Sequence, residues 1–101
     1  MDIKEQIAKD IKENKIMIYM KGTPDSPQCG FSARTVAILR SYQVPMDSRN
    51  VLDDENLRQG IKAFTDWPTI PQVFISGEFI GGCDIISEMH ENGELKKLLG
   101  K

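Results

Sequence analysis

The chain has 101 residues, 40% hydrophobic and 28% charged, which fits a single globular domain rather than a disordered segment or an array of domains. Thirteen basic residues against fifteen acidic ones leave a net charge of −2, which argues against a nucleic-acid binder. No apolar run approaches the ~20 residues needed to span a bilayer, and two cysteines, Cys29 and Cys83, are too few for a secreted disulfide framework.

In chain order, Asp2 to Asn14 predicts an amphipathic helix. Ile3, Ile7 and Ile11 recur one turn apart, and Asp2 with Glu5 resembles a capping box. This opening stretch is mixed in charge and lacks an apolar signal core. Ile16 to Met20 is apolar without alternation, as in a strand covered on both faces. Met17 and Met20 read as core filling rather than metal ligands. A Gly/Pro-rich stretch, Lys21 to Gln28, leads to Cys29. A second helix is predicted from Gly30 to about Gln43, with Ala33, Val36 and Ala37 at helical spacing and Val44-Pro45 as its interruption.

Met46 to Val51 is a weaker strand candidate, because Asp47, Ser48, Arg49 and Asn50 are poor strand formers. Asp53-Asp54-Glu55 suits the N-terminus of a third helix with Leu57, Ile61 and Phe64 on its buried face. Arg58 and Lys62 are neighbours on another face and, taken alone, read as a solvated surface. Trp67-Pro68-Thr69-Ile70-Pro71 precedes a predicted hairpin, Gln72 to Ile75 and Phe79 to Gly81, with Ser76-Gly77 as the turn. After Gly81-Gly82-Cys83, Asp84 is the expected N-cap of a helix over 85–91, ended by Asn92-Gly93. Leu95, Leu98 and Leu99 fit a short last helix. The single histidine, His90, reads as a surface partner near a helix end. This order implies a mixed four-stranded sheet with helices on both faces, in one domain over 1–101.

The chemistry-bearing stretch is Lys21 to Ser32. Cys29 stands between a strand end and a helix start, where unpartnered backbone N–H groups favour a thiolate. Lys21 is a second cationic influence. A dithiol motif would carry cysteine at position 32, but the residue there is Ser32. A hydroxyl cannot resolve a mixed disulfide. Cys29 therefore works alone, with an outside thiol, or as a metal ligand; the bland alternative is a buried cysteine filling space.

Four motifs in order resemble the monothiol glutaredoxins of the thioredoxin fold, over nearly the whole chain. They are Lys21 to Gln28, Cys29-Gly30-Phe31-Ser32, Trp67 to Gln72 with Pro71 as the expected cis-proline, and Gly81-Gly82-Cys83-Asp84. Met46 to Asn50 departs from the family by being less apolar. The resemblance implies a thioredoxin-like fold and a glutathione site. Lys21, Arg58 and Lys62 would meet the glycine carboxylate, and the Ile70 backbone would pair with the peptide. The amides of Cys83 and Asp84 would hold the γ-glutamyl carboxylate, and the Asp84 side chain would take the ammonium.

The resemblance further implies a [2Fe–2S] cluster bridging a homodimer through Cys29 of each chain and two glutathiones, in iron–sulfur assembly or transfer. A ligand set of Cys29 and Cys83 from both chains is the rival. The alternative function is a glutathione-dependent oxidoreductase acting through Cys29. A reversible Cys29–Cys83 pair is the third reading. Implied partners are a BolA-family protein and apo iron–sulfur proteins, with neither nucleic acid nor membrane. A bacterial cytoplasm is the expected compartment, and a mature mitochondrial matrix form is also compatible.

Overall fold

The computed structural model describes residues 2–101. Its first helix, α1 (Ile3–Glu13), starts as the capping pattern predicts, with the Asp2 carboxylate accepting from the Glu5 N–H at 2.8 Å. β1 (Ile16–Met20) follows and is buried at all five positions. It pairs in parallel with β4 (Met46–Asn50) and antiparallel with β5 (Gln72–Ile75), which pairs in turn with β6 (Glu78–Gly81). The sheet order is β4-β1-β5-β6, with β1 and β5 at the centre.

Burial of both faces of β1 explains its unbroken apolar run. Ile16, Ile18 and Met20 pack with Val36 and Leu39 of α2 (Gly30–Arg40), Ile86 of α4 (Cys83–Asn92) and Leu95 of α5 (Glu94–Leu98). Met17 and Tyr19 pack on the other face with Ile7 of α1 and with Leu57 and Ile61 of α3 (Glu55–Thr65). Each such side chain contributes about 1.5–3 kcal/mol by leaving water. The helices thus lie on both faces of a mixed sheet, as expected.

The polar strand β4 forms because distant groups satisfy it. Arg49 Nη2 donates to Asp10 Oδ1 at 2.8 Å, and the Tyr19 hydroxyl donates to Asp10 Oδ2 at 3.1 Å. Asp10 is buried on α1, so this trio ties a helix, a central strand and an edge strand together. Burial, then the Asp10 carboxylate, pushes the Tyr19 phenol well above its ordinary pKa. Asn50 Oδ1 accepts from the N–H groups of Gly22 and Leu52, both at 2.9 Å.

Three local readings are corrected. α2 ends at Arg40, with Ser41 as its C-cap, well before Val44-Pro45. Its buried line is Ser32, Thr35, Val36 and Leu39, whereas Ala37 is exposed. Polar Ser32 and Thr35 concealed that line from a count of apolar residues. α4 starts at Cys83 with Gly82 as its N-cap, so Asp84 lies in the first turn. A glycine cap leaves no side-chain signal. His90 is exposed in the last turn of α4, as expected, with its Nδ1 2.6 Å from the Tyr42 hydroxyl.

Candidate functional site

One end of the sheet gathers the starts of α2 and α4, one face of α3 and the loop before β5. They enclose a cleft of about 440 Å³. All seven residues singled out in the sequence, Lys21, Cys29, Arg58, Lys62, Ile70, Cys83 and Asp84, line it. Phe31, Trp67, Thr69 and Ile85 complete much of the wall.

Within the Gly/Pro-rich stretch, a small hairpin delivers Cys29. β2 (Gly22–Thr23) pairs with β3 (Ser26–Pro27), and the Gln28 N–H donates to the Lys21 carbonyl at 2.9 Å. Gly22 has φ +89, and a Cβ there would lie 2.6 Å from both Gln28 N and Ser26 O. Only glycine fits such a turn. The Arg40–Asp25 ion pair at 2.9 Å ties the hairpin to α2, but it is exposed and worth at most about 1 kcal/mol.

Cys29 is the N-cap residue of α2, and its thiol is free and half-buried. The Ser32 backbone N–H is the main influence lowering its pKa; the Phe31 N–H and the Lys21 charge act in the same direction, and partial burial opposes them. Ser32 has a role beyond standing in place of a second thiol. Its side chain is fully buried, and its Oγ accepts from the Lys21 N–H at 3.2 Å. It fastens the start of the hairpin to the first turn of α2.

Cys83 is free and buried, with its Sγ 4.0 Å from Ser87 Oγ. The turn before it is tight. A Cβ on Gly82 would lie 3.0 Å from the Pro71 carbonyl oxygen, and one on Gly81 would meet Ile85 at 2.8 Å. The Ile70–Pro71 bond is cis, as the motif implies. On the α3 side, Arg58 Nε is the one buried side-chain nitrogen or oxygen without a hydrogen-bond partner among the described residues. A donor left so is costly until an acceptor arrives.

The cleft thus combines an accessible sulfur, two helix starts, three basic side chains and one exposed carboxylate. Helix starts and basic side chains suit carboxylates. Among the described residues, no three His, Cys, Asp or Glu side chains cluster as a metal site.

The glutaredoxin family model matches residues 16–80. A mitochondrial monothiol glutaredoxin, S15 of Arabidopsis thaliana, is 55% identical over 97 residues, 96% of this chain and 57% of that protein. The mitochondrial glutaredoxin-related protein 5 of Danio rerio is 55% identical over 92 residues, 90% of this chain and 59% of that protein. The chain therefore spans little more than half the length of these two relatives. The solution structure of reduced apo GrxS14 from poplar superposes with a TM-score of 0.84 at 46% identity, covering 98% of this chain and 94% of that one. No helix among the described residues is long and apolar enough to cross a membrane. Sequence motif, sheet topology and relatives agree: the chain belongs to the glutaredoxin family, with the monothiol form of its motif.

Proposed function

We propose that the protein binds glutathione in this cleft and, as a pair of chains, carries a [2Fe–2S] cluster as cargo for iron–sulfur assembly or transfer. The observation that carries the reading is the convergence of a single activated, accessible thiol with a partnerless Arg58 donor in one cleft. The cleft volume of about 440 Å³ lies within the range of small-molecule sites. Arg58, Lys21 and Lys62 take the glycine carboxylate, Arg58 as a fork and the lysines as point charges. The Ile70 backbone pairs with the tripeptide as an added strand. The amides of Cys83 and Asp84 hold the γ-glutamyl carboxylate, and the Asp84 side chain holds the ammonium.

This arrangement leaves the glutathione sulfur beside Cys29. Two chains then offer two protein thiolates and two glutathione thiolates, the four ligands such a cluster takes. Phe31, Trp67 and Ile85, the exposed apolar side chains around the cleft, supply the contact surface for a second copy or a BolA-family protein. Apo iron–sulfur proteins are the recipients. A reducing compartment, bacterial cytoplasm or mitochondrial matrix, keeps the thiols available; the relatives named as mitochondrial support the second setting.

Anaerobic reconstitution with iron, sulfide and glutathione, read by native mass spectrometry, tests the proposal. The expected species holds two chains, one two-iron cluster and two glutathiones. Cluster uptake without glutathione would overturn the ligand set.

The lowered Cys29 pKa also favours a second reading, glutathione-dependent reduction of mixed disulfides. The Cys29 thiolate attacks the glutathione sulfur of a protein–glutathione disulfide, and the protein thiolate leaves. A second glutathione then attacks the Cys29–glutathione bond, restoring the Cys29 thiolate and releasing oxidised glutathione. Turnover of a small glutathione disulfide measures this activity directly.

A further inference from the structure

We infer that Gln72 is the positioning residue of the glutathione loop: its buried side-chain amide fixes the Trp67–Thr69 backbone, which leads directly into Ile70, the residue whose backbone pairs with the tripeptide. The inference rests on the proposed glutathione reading and deepens it.

Gln72 opens β5 and is fully buried, which is unusual for a glutamine. Its Nε2 donates to the Trp67 carbonyl at 3.0 Å and to the Thr69 carbonyl at 3.1 Å. Its Oε1 accepts from the Thr65 hydroxyl at 2.8 Å. Thr65 is itself tied to α3, lying 3.1 Å from the Ile61 carbonyl, and its Oγ1 is 3.2 Å from the Trp67 N–H. One amide thus links the end of α3, the loop and the first residue of β5.

Beyond this amide, the loop is held at its start only, where the Trp67 N–H donates to the Lys62 carbonyl at 3.2 Å and the Trp67 ring packs edge-on against Phe79. Pro68 and Pro71 have no N–H to give. The side chains of Trp67, Pro68 and Thr69 are exposed. The carbonyls of Trp67 and Thr69 face one NH2 group, and its two hydrogens match them in number. Gln72 does not line the cleft. It acts through the backbone of residues that do, so its effect is on where the loop sits.

Replacing the amide by a hydrocarbon removes both donors and leaves both carbonyls unpaired. The test measures glutathione affinity by calorimetry and the exposure of Trp67, the only tryptophan, by acrylamide quenching without glutathione. Gln72→Leu is expected to lose about tenfold in affinity and to make Trp67 more readily quenched. Thr65→Val, which removes the hydroxyl that orients the amide, is expected to lose about threefold, and Thr65→Ser to recover it. Leu95→Ala, in the core on the opposite face, provides a matched loss of stability with quenching and affinity unchanged.

Glutathione binding by Gln72→Leu within twofold of the parent would overturn the inference. An equal loss in Leu95→Ala would also overturn it, since the effect would then be general destabilisation. A parent protein that fails to bind glutathione would instead overturn the proposed function, and the quenching comparison would still judge whether Gln72 holds the loop. Should Gln72→Leu fail to fold, the Thr65→Val and Thr65→Ser pair decides alone.

Discussion

Two cysteines stand at two helix starts on one cleft, and the structure treats them differently. Cys29 caps α2 and stays half-exposed; Cys83 is the first residue of α4 and is buried. The approach to each explains the contrast. Cys29 follows a hairpin whose tight turn requires Gly22, whereas Cys83 follows a Gly-Gly turn pressed against Pro71 and Ile85. A helix start supplies N–H groups to whatever stands there. Access decides whether a sulfur can use them, so one cysteine offers a thiolate and the other offers backbone.

The largest expected effect comes from removing each sulfur in turn. Cys29→Ser should abolish both glutathione-dependent cluster uptake and rapid alkylation of the native protein, leaving less than about a tenth of either signal. Cys83→Ser should largely keep both. Iron content and iodoacetamide labelling read the outcome, and a cluster that persists without Cys29 would reverse the assignment of the two sulfurs.

The two approaches can be broken separately. Gly22→Ala must place a Cβ 2.6 Å from two backbone atoms at a positive φ, so a loss of about 3 kcal/mol in urea unfolding is expected. Gly82→Ala meets one carbonyl oxygen at 3.0 Å, and a loss of about 1 kcal/mol is expected. Their effects on the site should be reversed in kind. The first disturbs Cys29 labelling, and the second intrudes on the turn proposed to hold the γ-glutamyl carboxylate. Equal stability losses would mean that the hairpin before Cys29 is no more constrained than the turn before Cys83.

The same contrast marks how far the sequence could be read. Ile16 to Met20 announced a central strand because both its faces are buried. Five of the seven cleft residues were legible because their motifs are local, whereas Arg58 and Lys62 look like a solvated helix face until the family resemblance assigns them a carboxylate. What escaped depends on partners distant in the chain. Asn50 reaches back 28 residues to Gly22, and Arg49 reaches 39 to Asp10, so a polar strand looked weak when read alone. The β2–β3 hairpin has two residues per strand, too few to show a period. Ser32 looked like an absent thiol, and its hydrogen bond to the Lys21 N–H became visible only in three dimensions.

Lys21 sharpens the comparison further, because it belongs to the Cys29 approach. Its charge lowers the Cys29 pKa, ranking behind the Ser32 and Phe31 N–H groups. Lys21→Met should therefore raise the midpoint of the alkylation pH profile while leaving it below the ~8.5 of an ordinary thiol. A midpoint that reached the ordinary thiol range would mean that charge, not the helix start, activates the sulfur. Because Lys21 is only partly buried, added salt should weaken the same influence in the parent protein.

The smallest effect lies in stability against pH. Folding lowers the Cys29 pKa, so the folded state holds the thiolate more readily than the unfolded chain does. The resulting stabilisation is fully present above the unfolded thiol pKa, about 8.5. It is lost as pH falls through the lower, folded value. The unfolding free energy of the parent relative to Cys29→Ser should therefore grow as pH rises through that window. Cys83→Ser should keep the parent's rise, because Cys29 is intact in it. Urea unfolding at a series of pH values, under reducing conditions, measures all three. If the parent and Cys29→Ser curves ran parallel across the window, the α2 start would not be stabilising a thiolate, and the contrast between the two sulfurs would reduce to exposure alone.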